Sequence, residues 1–271
     1  MNYAAGNKEN ILSPVLHENR DGAARITLNR PERLNALTRE MMLDLIRVVE
    51  DAVRSPEVRV IFLTGAGRGF CAGQDLSERD PRELSGPLDL AAIQRELFHP
   101  VIRTLAETEK PVMACVNGIA AGAGVGLALV ADIVVAAQSA SFAFSFAKIG
   151  LSVDAGVGLA LARALGPARA RGLLMLGETI SAAEAERSGL IWKAVEDSSL
   201  LETQEALLQR LARIPRRSIA GIKRAVAAAL SSANLNDYLA SEAAFQGDAG
   251  AHSDYREGVL AFLERRAANF S

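Results

Sequence analysis

Two short glycine-rich segments carry the residue types best suited to chemistry: 70–76 (FCAGQDL) and 120–126 (AAGAGVG). Each follows an apolar run that reads as a strand. Small residues at such a turn let a ligand approach the main chain closely. A helix start leaves N–H groups without intrahelical partners, at the positive end of the helix dipole. One such turn is an anion site or a purely structural turn. Two that converge on one carbonyl oxygen make an oxyanion hole, where one donor contributes about 3 kcal/mol to a transition state. The third chemical residue is Asp154, the one acid in 149–158 (IGLSVDAGVG). Burial among Ile149, Leu151, Val153 and Val157 is expected to raise its pKa, bringing it closer to what removal of a carbon-bound proton demands. Its structural alternative is to cap the helix that follows. The remaining candidates are weaker. His17 and His252 stand isolated, with no metal-ligand spacing. Cys71 is expected to pack, Trp192 to sit in the core, and Asp132 to fix local backbone.

Those residues need elements to hold them. Residues 111–130 (PVMACVNGIAAGAGVGLALV) open as a buried strand, turn at Asn117–Gly118 and continue as an apolar helix. The uncharged length permits a membrane span of about 20 residues, but Asn117, the glycines and the lack of a basic flank oppose it. A dinucleotide fingerprint would need its third glycine where Leu127 stands. Apolar spacing predicts strands at 23–28, 58–64, 133–137 and 190–195, and an extended piece at 141–146. It predicts a helix from its cap Thr38 to about Arg54, and helical sequence over 90–108 with a kink or break at Pro100. Further helices are expected at 159–165, 168–176 and 182–188. From Leu200 the chain reads as almost wholly helical, with breaks near 214–215, 231–234 and 247–253. Residues 79–88 read as a mobile surface loop near whatever the glycine turns bind. Strands alternating with helices, then helices alone, make an α/β fold with mostly parallel strands.

With 271 residues, 49% of them hydrophobic, the chain suits one large domain or one domain plus a small appendage. A net charge of −2 supplies no field to recruit nucleic acid. The cysteines, Cys71 and Cys115, form no pair motif, which fits a reduced compartment. Residues 1–20 are polar and lack a secretory pattern, so a cytoplasmic protein free of the membrane is expected.

Five segments together resemble the crotonase, or enoyl-CoA hydratase/isomerase, superfamily: LNRPERLNAL (28–37), TGAGRGFCAGQDL (64–76), KPVMACVNGIAAGAG (110–124), ADIVVAA (131–137) and DYREGVLAFLERR (254–266). The resemblance runs from about residue 12 to the C-terminus. It implies an α/β spiral of ββα units over 1–199 and a helical C-terminal trimerisation region over 200–271, assembled as a homotrimer or dimer of trimers. It also implies an acyl-CoA thioester substrate, with coenzyme A as part of the substrate, no separate cofactor and no metal. The thioester oxygen would be held by the N–H groups of Gln74 and Ala123, the side chain of Gln74 being incidental. Arg33, Leu34, Ala36, Ala72, Asp75 and Leu76 would line the CoA path. Phe262 and Arg265 would reach a neighbouring subunit's CoA.

The same resemblance bears on the reaction. Hydratases of the family use two glutamates, at positions that here are Gly126 and the region 146–148 (FAK). Asp154 stands where the family's isomerases carry an aspartate. A single carboxylate can remove a proton from one carbon and return it at another while an oxyanion hole holds the dienolate. TGAGRGFCAGQDL and SDYREGVLAFL are most similar to the branch that converts ring-epoxidised phenylacetyl-CoA to the oxepin. The chain departs from that branch at Val153 and at 155–158 (AGVG). An aryl-CoA dehalogenase, with Asp154 as nucleophile, His99 as base and Phe146 at a tryptophan position, is an alternative. So are a hydratase-like enzyme and a non-catalytic CoA- or RNA-binding module.

Overall fold

The elements follow from alternating apolar residues. The computed structural model describes residues 13–84 and 86–270; residues 1–12 of the polar N-terminal stretch and Ser85 of the 79–88 loop lie outside the described residues. Strands β1 (Val15–Arg20) and β2 (Ala23–Leu28) form an antiparallel pair, followed by helix α1 (Arg39–Arg54) and β3 (Val60–Gly65). Thr38 caps α1 by accepting the Met41 amide, and Met41, Leu45, Val48 and Ala52 bury one stripe of it. Next come β4 (Gly69–Cys71), α2 (Leu90–Ile93), a π turn over Gln94–Phe98, and α3 (His99–Glu107). Then follow β5 (Val112–Val116), β6 (Ile119–Ala121), α4 (Ala123–Leu129), β7 (Ile133–Ala137), β8 (Ser141–Ala143) and α5 (Val157–Leu176). The chain continues through β9 (Thr179–Ser181), α6 (Ala182–Arg187) and β10 (Lys193–Val195). It ends in α7 (Leu200–Arg213), α8 (Arg216–Ala229), α9 (Leu235–Gly250) and α10 (Ser253–Glu264).

Among the described residues the strands form two sheets, in the orders β1-β2-β3-β5-β7-β10 and β4-β6-β8-β9. All pairs are parallel except β1–β2 and β8–β9. The pairs β3–β4, β5–β6 and β7–β8 each give their first strand to the large sheet and their second to the small one, whereas β1 and β2 both join the large sheet. Successive units stack as a spiral, the α/β architecture expected. Side chains alternate across a strand. Val60, Phe62, Met113, Cys115 and Val135 face α7 and pack on Leu207, Leu208 and Leu211. Ile61, Leu63, Ala114 and Val116 point into the larger core with α1, α3 and α4. With both faces covered, β3 and β5 read as unbroken apolar runs.

Several expectations are corrected. β1 is a further strand; its exposed tail has no apolar alternation, and pairing with β2 alone makes it a strand. β4 and β6 are three-residue strands inside stretches read as turns, and β9 is a three-residue strand in a stretch given no element. The extended piece at 141–146 stops at Ala143, then Ser145–Ile149 coils as a 3-10 turn. The strand at 190–195 shrinks to β10. Trp192 just before it is 54% exposed, so it is not a core residue. The two helices at 159–165 and 168–176 are halves of α5, broken at Gly166 before Pro167. Residues 111–130 divide among β5, β6 and α4, and no helix is long and apolar enough to cross a membrane among the described residues.

Candidate active site

The segment after β2 doubles back against the turn after β4. Asn35 holds it there: its Nδ2 donates to the carbonyls of Ala66 (2.9 Å), Gly69 (2.8 Å) and Phe70 (3.2 Å), and its Oδ1 accepts from the Arg30 amide at 2.8 Å. Asn35 is fully buried. Sequence reasoning missed it, since nothing in NRPERLNAL separates a polar staple from a solvated loop residue. Ala72 N–H then donates to Leu34 O, Leu37 N–H to Gly73 O, and Asp75 N–H to Leu37 O. Leu34, Ala36, Ala72, Asp75 and Leu76 are thereby brought together along one wall. Asp75 is occupied within it. Its carboxylate accepts from Ser77 and from Arg30 Nη1 at 2.8 Å, contacts that hold it below the usual carboxylate range. Arg33 is exposed on the short 3-10 turn beside that wall. Phe262 and Arg265 are not brought to it; both are exposed at the end of α10, with Phe262 at 83%.

The two hydrogen bonds to Leu37 bracket Gln74, so Gln74's own N–H faces away from Leu37. The start of α4 lies close by. A Cβ on Gly73, which has φ +87°, would stand 2.7 Å from Ala121 O and 3.5 Å from Ala123 N. A Cβ on Gly124 would stand 2.3 Å from Cys71 O. The two glycine turns thus interlock main chain to main chain, which only glycine permits at these positions. Ala123 is the first residue of α4, where no intrahelical acceptor exists for its N–H. Among the described residues, neither the Gln74 N–H nor the Ala123 N–H has an acceptor.

Asp154 approaches the same helix. Gly126 lies one turn along α4 from Ala123, on the same face. A Cβ there would meet Ala155 O at 2.4 Å and Ala155 Cβ at 2.6 Å. The loop carrying Asp154 therefore docks where the family's hydratases place a glutamate, and a side chain at 126 has no room. Ala155 (φ +48°) and Gly156 (φ +78°) turn the chain sharply after Asp154. Asp154 does not cap α5: its main-chain carbonyl, not its carboxylate, accepts from Val157 N–H. Its Oδ2 instead accepts from Gln74 Nε2 at 3.1 Å and Gln94 Nε2 at 2.8 Å. The Gln74 side chain is thus not incidental, and Gln94 was not anticipated at all. Desolvation pushes the Asp154 carboxyl up to about 6, against the Gln94 hydrogen bond and the Arg79 charge, which pull it down. The rise matches the expectation but its cause is corrected in part. Ile149 and Val153 are exposed, so of the named neighbours Val157 is the buried one.

Two cavities adjoin this site and share Arg79 and Leu88. One, of about 440 Å³, is lined by Leu37, Met42, Asp75 and Ile93; the other, of about 640 Å³, by Leu76, Leu84, Ile149 and Leu151. Asp154, Gln74 and Ala123 line neither of these two. From the 79–88 stretch, Arg79, Pro81, Leu84 and 86–88 line these cavities. His99, the base of the dehalogenase alternative, is exposed. Cys71 is buried, its thiol pushed up to about 12 by desolvation, and packs against Gly124. Asp132 fixes backbone as expected, accepting from Val112 N–H and pairing with Lys223, each at 2.8 Å.

Comparison with known proteins agrees with this geometry. The model of the enoyl-CoA hydratase/isomerase family matches residues 18–271. The chain is 43% identical over 261 residues to the 1,2-epoxyphenylacetyl-CoA isomerase of Escherichia coli (strain K12), covering 96% of this chain and 99% of that one. It is 44% identical over 257 residues to a probable enoyl-CoA hydratase of Rhodobacter capsulatus, covering 95% and 97%. The crystal structure of an enoyl-CoA hydratase from Polaromonas sp. JS666 superposes with a TM-score of 0.85 at 34% identity, covering 95% of this chain and 99% of that one. Interlocked glycine turns on a two-sheet spiral, matched along nearly the whole sequence, place this chain in the enoyl-CoA hydratase/isomerase, or crotonase, family.

Proposed function

We propose that the protein is an acyl-CoA isomerase that rearranges ring-epoxidised phenylacetyl-CoA to the oxepin, shifts a β,γ double bond to α,β, or does both. Asp154 takes a proton from the α-carbon in the double-bond shift. The electron pair passes into the thioester as a dienolate, whose oxygen the N–H groups of Gln74 and Ala123 hold, and the proton returns at the γ-carbon. The observation that carries the reading is a lone, desolvated carboxylate docked on α4 where a second acid has no room. Water addition is hard to assign without two carboxylates. The named activity of the Escherichia coli relative supports the isomerase, and that of the Rhodobacter capsulatus relative favours hydration as the second reading. A dehalogenase would need His99 as base, and His99 is exposed. Purified protein assayed side by side on ring-epoxide, β,γ-enoyl and α,β-enoyl thioesters separates them. Isomerisation without hydration is expected; hydration at an equal rate would sink the isomerase reading. Binding without α-proton exchange would mark a non-catalytic module.

The base must start as the carboxylate. kcat/KM is therefore expected to rise with pH through about 6 and level off above it, as Asp154 ionises in the free enzyme. A flat profile between pH 5 and 8 would remove Asp154 from the rate-limiting proton transfer.

Trimeric assembly and a cytoplasmic location belong to the same proposal. No residue of α9 is buried, and Leu235, Leu239, Tyr255, Phe262 and Leu263 of α9 and α10 stand exposed. A second copy of the chain is the occupant we assign to that face, with Arg265 reaching its CoA phosphates. Arg265→Ala is expected to raise KM several-fold with kcat unchanged, the signature of lost uniform binding. Light scattering should give a trimer or hexamer mass. A monomer with wild-type KM in the variant would count against the assembly and the contact together.

A further inference from the structure

We infer that Gln94 is a positioning residue: with the Gln74 side chain it clamps one oxygen of Asp154 and so dedicates the other oxygen to carrying the proton. The inference rests on Asp154 as the proton carrier and concerns what holds that carboxylate in place. Gln94 opens the π turn between α2 and α3. His99 N–H there donates to Gln94 O, five residues back, where a regular helix would bond four back. Pro100 has no N–H to continue the regular ladder. The extra residue in the turn changes the register of the side chains that precede α3. The Gln94 carboxamide in this register meets Asp154 Oδ2 at 2.8 Å.

The second prong comes from another element. Gln74 Nε2, on the turn after β4, reaches the same Oδ2 at 3.1 Å. A carboxylate accepts only, so each amide must present its nitrogen. Oδ1 is buried and without a partner among the described residues. Leaving an acceptor in that condition costs stability, and it leaves Oδ1 as the reactive atom. The arrangement also survives protonation. With the proton on Oδ1, Oδ2 becomes a carbonyl oxygen that still accepts from both amides. The clamp therefore persists through the proton cycle, and the carboxyl cannot flip without breaking two hydrogen bonds. Of the charged groups on surrounding segments, Asp75 is paired with Arg30, while Glu78, Arg95, Glu96 and Lys148 are exposed. Arg79 is the charge that acts on Asp154.

The test is Gln94→Met, which keeps the length and removes the donor. Losing a donor to the charged form disfavours that form. The rising limb of kcat/KM is expected to move up by about one pH unit, and plateau kcat to fall about tenfold with KM within twofold. The ¹³C titration of the Asp154 carboxyl should move the same way, independently of turnover. Gln74→Met, which keeps its main-chain amide, should shift both in the same direction, and it serves if Gln94→Met does not fold. An unmoved limb and an unmoved ¹³C titration, whatever happens to kcat, would overturn the clamp. Asp154→Asn run in parallel keeps the two ideas apart. Near wild-type isomerisation there ends the Asp154 reading, whereas an inactive Asp154→Asn with an unmoved Gln94→Met ends only the clamp.

Discussion

Asp154→Asn is expected to lower the isomerase kcat by about 10²–10⁴-fold, the usual worth of a positioned general base. Asparagine has the same shape, and its oxygen can still accept from Gln94 and Gln74. It cannot take up a proton. The loss should therefore fall on kcat while thioester binding, set by the CoA wall and the main-chain amides, stays within a few-fold. The substitution should also raise stability at neutral pH. Desolvation raises the folded-state pKa of Asp154 from the ordinary aspartate value of about 3.9 to about 6. Between those values the native state binds more protons than the unfolded state, so stability falls as pH rises through that window. Above pH 6 the penalty is complete, at about 1–2 kcal/mol once partial exposure is discounted. The variant should melt higher than the parent at pH 8 and equally near pH 3. Stopped-flow assays and pH-dependent calorimetry check the two halves separately. A variant with near wild-type turnover would remove Asp154 from the mechanism.

Gly73→Ala is expected to cost about 10²–10³-fold in kcat, comparable to removing one oxyanion donor. The residue sits at φ +87°, and an added Cβ would stand 2.7 Å from Ala121 O and 3.4 Å from Ala121 C. Both obstacles are main chain, so no side chain can swing aside. The turn itself must move, and with it the N–H of Gln74. Gly86→Ala is the control, because a Cβ there meets nothing within 4 Å. It should leave kcat unchanged. Circular dichroism and mass in solution establish that Gly73→Ala still folds. Wild-type kcat in a folded Gly73→Ala would show that the turn holds no donor that matters.

Much of the frame was legible because periodicity reports burial. Thr38, Met41, Leu45 and Val48 announce α1 and its cap, and the charge-free 111–116 run announces a strand covered on both sides. Asp132, too, could be read from its place just before a strand, and it does fix the neighbouring backbone. Short strands were not legible. Three residues such as Gly69–Cys71 or Ile119–Ala121 show no period, and they become strands only because each finds the other. β1 is the same case, since its exposed polar tail is a strand by virtue of β2.

The site divides along the same line. The sequence by itself determined the two glycine turns, the lone acid in its loop and the absence of acids at 126 and 146–148, because these are matters of residue type at a position. Only the tertiary structure decided what surrounds the acid. Gln74 and Gln94 lie 20 residues apart in sequence, and each is far from Asp154, so no local pattern links them; a widened helix turn and a docked loop bring their amides to one oxygen. The glycine at 126 became informative in the same way. In the sequence it is a missing glutamate, while in the fold it is a surface against which the main chain of Ala155 is pressed. Residue type is local, whereas desolvation and hydrogen-bond partners belong to whatever the fold places within a few ångströms.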